Sequence, residues 1–263
     1  MSLSSGLQGL GGGLQGLSGA SKSTFNPLSL SPSLYLDASN SSSLFQDTSG
    51  TTPASANNAP VGRWNDLSGN GNNVTQGTAN AKPLLKTSIQ NGNNVVRFDG
   101  VNDLLDGGNI LPLTGNYSIY AVLITSDVSG AIVSHVDVIS PFTGWNASIG
   151  LLPANSGKLQ SFSSGSAAYV EATGAAINDG SAHLIEITRS SAVLSFTIDG
   201  AARGNFAQAN NGASSITLTV GSDSSGLFYL AADIGTLLIF NRALTVAEQA
   251  LLRSSLKTKW GTP

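Results

Sequence analysis

The run Ile234, Leu237, Leu238, Ile239 and Phe240, inside the stretch FYLAADIGTLLIFNRALTVAEQALL (Phe228–Leu252), constrains the fold more than any other part of the chain. Neighbouring residues of a strand point to opposite faces, so consecutive apolar side chains predict a strand buried on both. The run is far shorter than the roughly 18 to 20 apolar residues that cross a bilayer. Asn241-Arg242 ends it. Thr245 then stands three residues before Glu248, the spacing of a capping box, in which each side chain satisfies a backbone N–H at a helix start. Ala247, Ala250, Leu251, Leu252 and Leu256 give the helix that follows an apolar stripe.

Strand signals recur along the rest of the chain. Leu184, Glu186 and Thr188 alternate with Ile185, Ile187 and Arg189, while Leu194, Phe196 and Ile198 share a face and stop at Asp199-Gly200, a hairpin signal. Shorter strands are expected at Leu34–Ser39, within Val95–Gly100, at Tyr117–Ile124, from Ala131–Ser134 and around Ile216, Leu218 and Val220. Asn40 to Pro60 is rich in Ser, Thr, Asn and Pro and reads as a long loop. In Val61–Asn73 (VGRWNDLSGNGNN), Asp66 and Ser68 can close side-chain turns, Gly69 and Gly71 permit positive φ, and Trp64 anchors the loop on the core.

Several of these segments, in order over roughly residues 33–260, resemble one family. They are LYLDAS (Leu34–Ser39), WNDLSGNGN (Trp64–Asn72), VVRFDG with Asp103 close behind, DGSAHLIEITRSSAVLSFTIDG (Asp179–Gly200) and the closing NRALTxxE. Together they are similar to laminin-G-like, concanavalin A-like jelly-roll domains, of the kind found in phage virion proteins. Ala182 stands where that family usually has Trp. The resemblance implies an all-β fold: a two-sheet antiparallel jelly-roll sandwich with a short C-terminal helix. Residues 27–263 would form this domain and residues 1–26 an extended N-terminal arm. The fold says little about activity, because it carries lectins, glycosidases, adhesion modules and virion proteins alike.

The arm is the most unusual segment. Residues 1–21 hold no charge, GLQGL occurs twice, and Leu3, Leu7, Leu10, Leu14 and Leu17 follow a 4, 3, 4, 3 spacing that on paper makes a heptad seam. Seven glycines lie between Gly6 and Gly19, and at roughly 1 kcal/mol each they cost an isolated helix about 7 kcal/mol. Two readings stand: a flexible tail, or an assembly arm that orders against a partner or sister subunits. Regular leucines favour the arm, since a linker needs none.

Charged residues make up 10% of the chain against about 25% in an average protein, and the net charge is −3. Neither nucleic acid nor an anionic membrane finds an electrostatic footprint here. The absence of Cys excludes disulfides, thiolate metal sites and a Cys nucleophile. The N-terminus has no basic region before an apolar run, so no secretion signal is read and synthesis in a host cytoplasm is expected.

Catalytic groups are sparse. The three glutamates, Glu171, Glu186 and Glu248, form no Glu-x-Asp-x-Glu triplet of the jelly-roll glucanase type, which would place a carboxylate pair on one strand face. His135 and His183 come without a G-x-S-x-G elbow. His135 and Asp137 could pair on a metal, but two His and no Cys argue against zinc.

Calcium is the ion the sequence best accommodates. Asp66, Ser68 and Asn70, followed by Gly71, imitate the first half of a calcium loop, although Gly77 stands where the bidentate Glu belongs. A turn network satisfied by its own hydrogen bonds is the other reading. For carbohydrate, Trp145 with Asn146 is the candidate platform among three tryptophans, and core packing is its alternative role.

Three functions follow from these features. The first is a non-enzymatic virion structural protein, a capsid decoration (cement) or tail-associated protein on the virion surface. Its partners would be the major capsid protein or another virion protein, and sister subunits in a homo-oligomer, trimeric by analogy with that class. The second is a carbohydrate-binding or adhesion module with a glycan partner. The third, a polysaccharide-degrading enzyme, is disfavoured by the carboxylate inventory.

Overall fold

The computed structural model describes residues 25–108, 115–134, 148–151, 157–163, 168–207, 218–223, 226 and 228–263. The leucines of the arm, His135, Trp145, Asn146 and Ile216 lie outside the described residues. Strands in the first half are β1 (Leu34–Asp37), β2 (Leu44–Phe45), β3 (Arg63–Trp64), β4 (Val74–Thr75), β5 (Leu84–Gln90), β6 (Asn93–Asp99), β7 (Leu105–Asp106) and β8 (Tyr117–Ile124). Those that follow are β9 (Gly130–Ser134), β10 (Ser148–Leu151), β11 (Leu159–Ser163), β12 (Ala168–Glu171) and β13 (Ala182–Ser190). The last are β14 (Val193–Ile198), β15 (Ala201–Ala207), β16 (Thr219–Val220) and β17 (Ala231–Phe240), before helix α1 (Val246–Trp260).

They form two antiparallel sheets. One runs β15-β14-β13-β8-β17-β6-β5, with β1 added beside the second half of β17; the other runs β12-β11-β10-β9-β16-β7-β4-β3-β2. The fold is the all-β two-sheet sandwich with a short C-terminal helix that the sequence implies. Between the sheets lies a core of alternate inward residues, among them Trp64, Phe98, Ile119, Ala121, Leu123, Ile185, Ile187, Leu194, Phe196 and Val220. Trp64 is fully buried, so the loop that follows it is anchored as its sequence suggests.

β17 is buried on both faces. Ala232, Ile234, Leu237 and Ile239 point into the inter-sheet core, whereas Leu238 and Phe240 point outward. The change from even to odd numbers marks a bulge between Ile234 and Thr236, where one extra residue shifts the pleat by one step. Gly235 occupies the bulge because nothing larger fits: a Cβ there would stand 2.8 Å from the ring of Trp260. The Trp260 indole N–H donates to Thr236 Oγ1 at 2.9 Å, so the last residue of α1 is fixed to the kink in the strand it covers.

α1 lies over the outward side of β17. Leu252, Leu256 and Trp260 pack with Tyr120 and Val122 of β8, Leu184 of β13, and Leu238 and Phe240 of β17. The stripe is narrower than the sequence suggests, since Leu251 remains 53% exposed. The capping box forms in both directions, with Thr245 Oγ1 accepting from Glu248 N and Glu248 Oε2 accepting from Thr245 N.

The far end of α1 is capped by a hairpin. Asn91 and Gly92, both at positive φ, turn β5 into β6. From this turn Gln90 Nε2 donates to Trp260 O at 2.7 Å, and Asn91 and Asn93 Nδ2 both donate to Lys259 O, at 2.9 and 2.8 Å. Lys259 itself reaches the buried Asp37 of β1.

Candidate functional site

The three residues expected to hold calcium are close together and tightly engaged. Asp66 Oδ1 accepts from the backbone N–H of Tyr35 and of Ser68, both at 2.9 Å. Its Oδ2 accepts from Ser68 Oγ at 2.6 Å and from Asn72 N at 3.0 Å. Asn70 Nδ2 donates to Pro32 O at 3.0 Å, to Ser33 O at 3.2 Å and to Ser68 Oγ at 2.9 Å. The loop therefore pins the segment leading into β1, with four donors on one carboxylate, and a cation would have to displace some of them. Among the described residues no three His, Cys, Asp or Glu side chains gather as a metal site would require.

The glutamates are individually engaged. Glu171 meets Lys158 at 3.1 Å and Gln160 at 2.9 Å, and Glu248 meets Arg242 and the helix cap. Glu186, 3% exposed, takes a bidentate pair of bonds from Arg253 at 2.5 and 2.8 Å. His183 is held from both sides, Nδ1 by Asp199 at 2.6 Å and Nε2 by Asp179 at 3.1 Å. A general base for a Ser nucleophile needs one ring nitrogen facing the hydroxyl, and here carboxylates take both.

A cleft of about 650 Å³ opens on the outer face of the first sheet, where β6, β8 and β17 run past the cover of α1. Arg97 and Asp233 sit directly across from each other on β6 and β17, and Ile124 of β8 is next in the row. Arg97 Nε and Nη2 donate to Asp233 Oδ1 and Oδ2 at 2.6 and 2.7 Å. The guanidinium is 46% exposed and the carboxylate 6%, so three of the five guanidinium N–H donors remain available toward solvent.

Loops complete the walls. Asp99 Oδ1 gathers the N–H groups of Val101, Asn102 and Asp103 at 2.8 to 3.3 Å, which leaves its other oxygen outside that turn. Behind it the buried Asp103 has its pKa pushed up to about 6, first by loss of water and then by the charge of Asp99. On the opposite wall Thr125 Oγ1 donates to Ala231 O at 2.7 Å and accepts from Asp127 N at 2.9 Å, fixing the Ser126–Asp127 corner. The site thus offers guanidinium and hydroxyl donors beside carboxylate acceptors, with Ile124 as the apolar side chain between them and the backbone of Phe98 and Ala232 beneath.

The sequence marks none of these groups as functional. Arg97 lies inside the VVRFDG segment that marks the family, and Asp233 reads as a strand-edge residue. Their meeting joins residues 136 apart. A polar side chain interrupting each of two apolar strands was the available signal.

A family profile described as the concanavalin A-like lectin/glucanases superfamily, of laminin-G type, matches residues 91–248. Among solved structures, the receptor binding domain of botulinum neurotoxin D is similar with a TM-score of 0.59 and 13% identity, covering 90% of this chain and 57% of that one. The binding domain of Paraclostridial Mosquitocidal Protein 1 gives 0.58 and 13%, covering 80% and 55%. Trypanosoma rangeli sialidase in complex with sialic acid gives 0.54 and 12%, covering 87% and 33%. The chain thus spans about half the length of these toxin domains and a third of the sialidase, and at such identities the likeness is one of fold. No curated protein sequence matches it.

Two outcomes are expected. Asp66→Ala strips a carboxylate from four donors and lowers stability by about 2–4 kcal/mol in urea denaturation. A chelator leaves the melting temperature of the parent unchanged if hydrogen bonds alone hold the loop, and a chelator-induced fall absent from Asp66→Ala would instead place calcium there.

The His183 clamp gives a pH dependence of known sign. Bonding to Asp199, then to Asp179, outweighs burial and raises the imidazole pKa above its ordinary 6.5. A pKa raised on folding contributes stability in full below the unfolded value of about 6.5, and that stability is lost as pH rises through the folded value. Denaturation midpoints of His183→Gln, compared with the parent from about pH 5 to 9, should show this slope removed.

Proposed function

As the chain belongs to the concanavalin A-like lectin/glucanases superfamily, we propose that it is a non-enzymatic carbohydrate-binding or adhesion module whose ligand sits in the cleft between Arg97–Asp233 and Thr125–Asp127. The observation that carries this reading is the cleft itself. Sugar hydroxyls both donate and accept, and a wall that alternates guanidinium, carboxylate and hydroxyl groups beside the apolar Ile124 answers them in both senses. The kinship of fold with the receptor binding domain of a neurotoxin supports recognition over catalysis. So does the engagement of each glutamate, and of both His183 nitrogens, in structural bonds. Trp145 and Asn146 are proposed from the sequence as a further contact for glycan.

A glycan array tests this directly. Replacing Arg97 alone would strand a buried Asp233, so the informative variant is Arg97→Met with Asp233→Leu, which removes both charges together. Signals should fall at least about tenfold in the double variant, with the thermal midpoint retained. An array on which the parent binds nothing, or on which the double variant binds undiminished, overturns the assignment. Trp145→Ala on the same array reads the second contact independently.

A second reading rests on the N-terminal sequence. Twenty-one uncharged residues with leucines at regular spacing suit an anchor better than a linker. In this reading residues 1–26 fasten the domain to the major capsid protein or another virion protein, or to sister subunits in a homo-oligomer such as a trimer, and the domain stands at the virion surface as a decoration or tail-associated protein. Deleting residues 1–26 should abolish attachment to purified particles seen by electron microscopy while leaving array binding intact. Attachment without the arm would sink the anchor.

A further inference from the structure

A second cleft, of about 380 Å³, lies on the same outer face at the opposite end of α1. The register locates it: the first cleft takes in Ile124 at the end of β8, whereas here the floor adjoins Ser118 near that strand's start. Its chemistry is different. The outward positions of β13 and β14 supply Thr188, Ser190, Ser195 and Thr197, with Glu186 opposite Thr197 and Thr188 opposite Ser195 in adjacent register. The wall is the segment Ala243–Val246 together with Gln249 of α1.

The wall is fastened to the floor. Leu244 N donates to the buried Ser118 Oγ at 2.9 Å, and Ser118 in turn touches Thr188 Oγ1 at 3.3 Å. Gln249 Nε2 donates to Leu244 O at 2.8 Å, which leaves the amide oxygen as an acceptor beside the hydroxyls. The one carboxylate in the floor, Glu186, is neutralised by Arg253. The cleft therefore carries no net charge, and its groups are those that donate and accept at once.

We propose that this cleft is a second recognition site, which takes one ring of a neutral polyhydroxylated ligand. The inference rests on the carbohydrate reading and extends it to a second place on the same face, where the ligand is neutral. A charged group entering here would surrender its hydration to hydroxyls that carry no opposing charge, whereas a neutral polyol exchanges water hydrogen bonds for equivalent ones. The site is of a size for a single sugar ring, at the lower end of the roughly 300–1,000 Å³ range of ligand pockets.

The test uses the full chain, labelled with nitrogen-15, titrated with the methyl glycosides of glucose, galactose, mannose and N-acetylglucosamine and, as a charged counterpart, glucuronic acid. At least one neutral glycoside should shift the amide signals of Thr188, Ser195, Thr197 and Gln249, and glucuronic acid should leave them in place. Ser195→Val with Thr197→Val keeps strand-forming shape and should weaken the neutral ligand by about tenfold for each hydroxyl lost. The Arg97→Met with Asp233→Leu variant should bind it as the parent does. Shifts confined to the neighbourhood of Arg97 overturn the second site while leaving the first standing. Shifts at the second cleft that survive the double valine variant, or none from any neutral glycoside, overturn it as well.

Discussion

β17 must be covered on two sides, and most of what surrounds it follows from that demand. Leaving Leu238 and Phe240 in water would forgo roughly 1.5–3 kcal/mol for each side chain, and the second sheet can reach only the opposite face. α1 supplies the missing cover within twenty residues of the strand it protects. The two elements are then locked together at both ends, by Arg242, Glu248 and the capping box at one and by Trp260 on Thr236 at the other. The bulge at Gly235 reconciles them. It re-phases the strand so that polar Asp233 points outward at one end while Leu238 and Phe240 point outward under the helix.

A single helix is narrower than the sheet it lies on. Along β8 and β13 the outward residues that α1 covers are Tyr120, Val122, Leu184 and Glu186, the last paired with Arg253 of the helix, and beyond it at one end stand the polar Ser118, Thr188 and Ser190. At the other end Arg97, Asp233 and Thr125 take over on and beside the neighbouring strands. The two clefts are thus the uncovered ends of one face, and their different chemistry reflects which residues each strand places outward there. Burial of the ion pairs Arg97–Asp233 and Glu186–Arg253 along the same face fixes side chains that would otherwise be free to wander, because a carboxylate 3 to 6% exposed tolerates no other arrangement.

Local chemistry made much of the fold legible. The capping box, the Asp199-Gly200 hairpin with both residues at positive φ, and the alternation in β13 and β14 are statements about neighbours in sequence, and they stand as read. The laminin-G resemblance added the two antiparallel sheets and the closing helix. What sequence could not display were contacts across long separations. Nothing in VVRFDG announces that Arg97 faces Asp233, and nothing in LLIF reveals a bulge two residues earlier that changes which leucine looks outward. Leu251 shows the same limit, since a stripe drawn on an isolated helix does not know how wide the sheet beneath it is. The Asp66 loop closes on itself through Ser68 and Asn72, yet its four bonds reach to Tyr35 as well as to its own turn.

The hairpin amides at the end of α1 carry a consequence in time. Asn91 is followed by Gly92, a step at which the unhindered backbone nitrogen favours loss of the side-chain amide as ammonia and its replacement by a carboxylate. In this fold such a replacement would remove a donor from Lys259 O and set a negative charge against the negative end of the helix dipole. Chemical ageing at one exposed turn would therefore loosen the cover of a strand buried on both faces, and the protein would grow old from its helix inward.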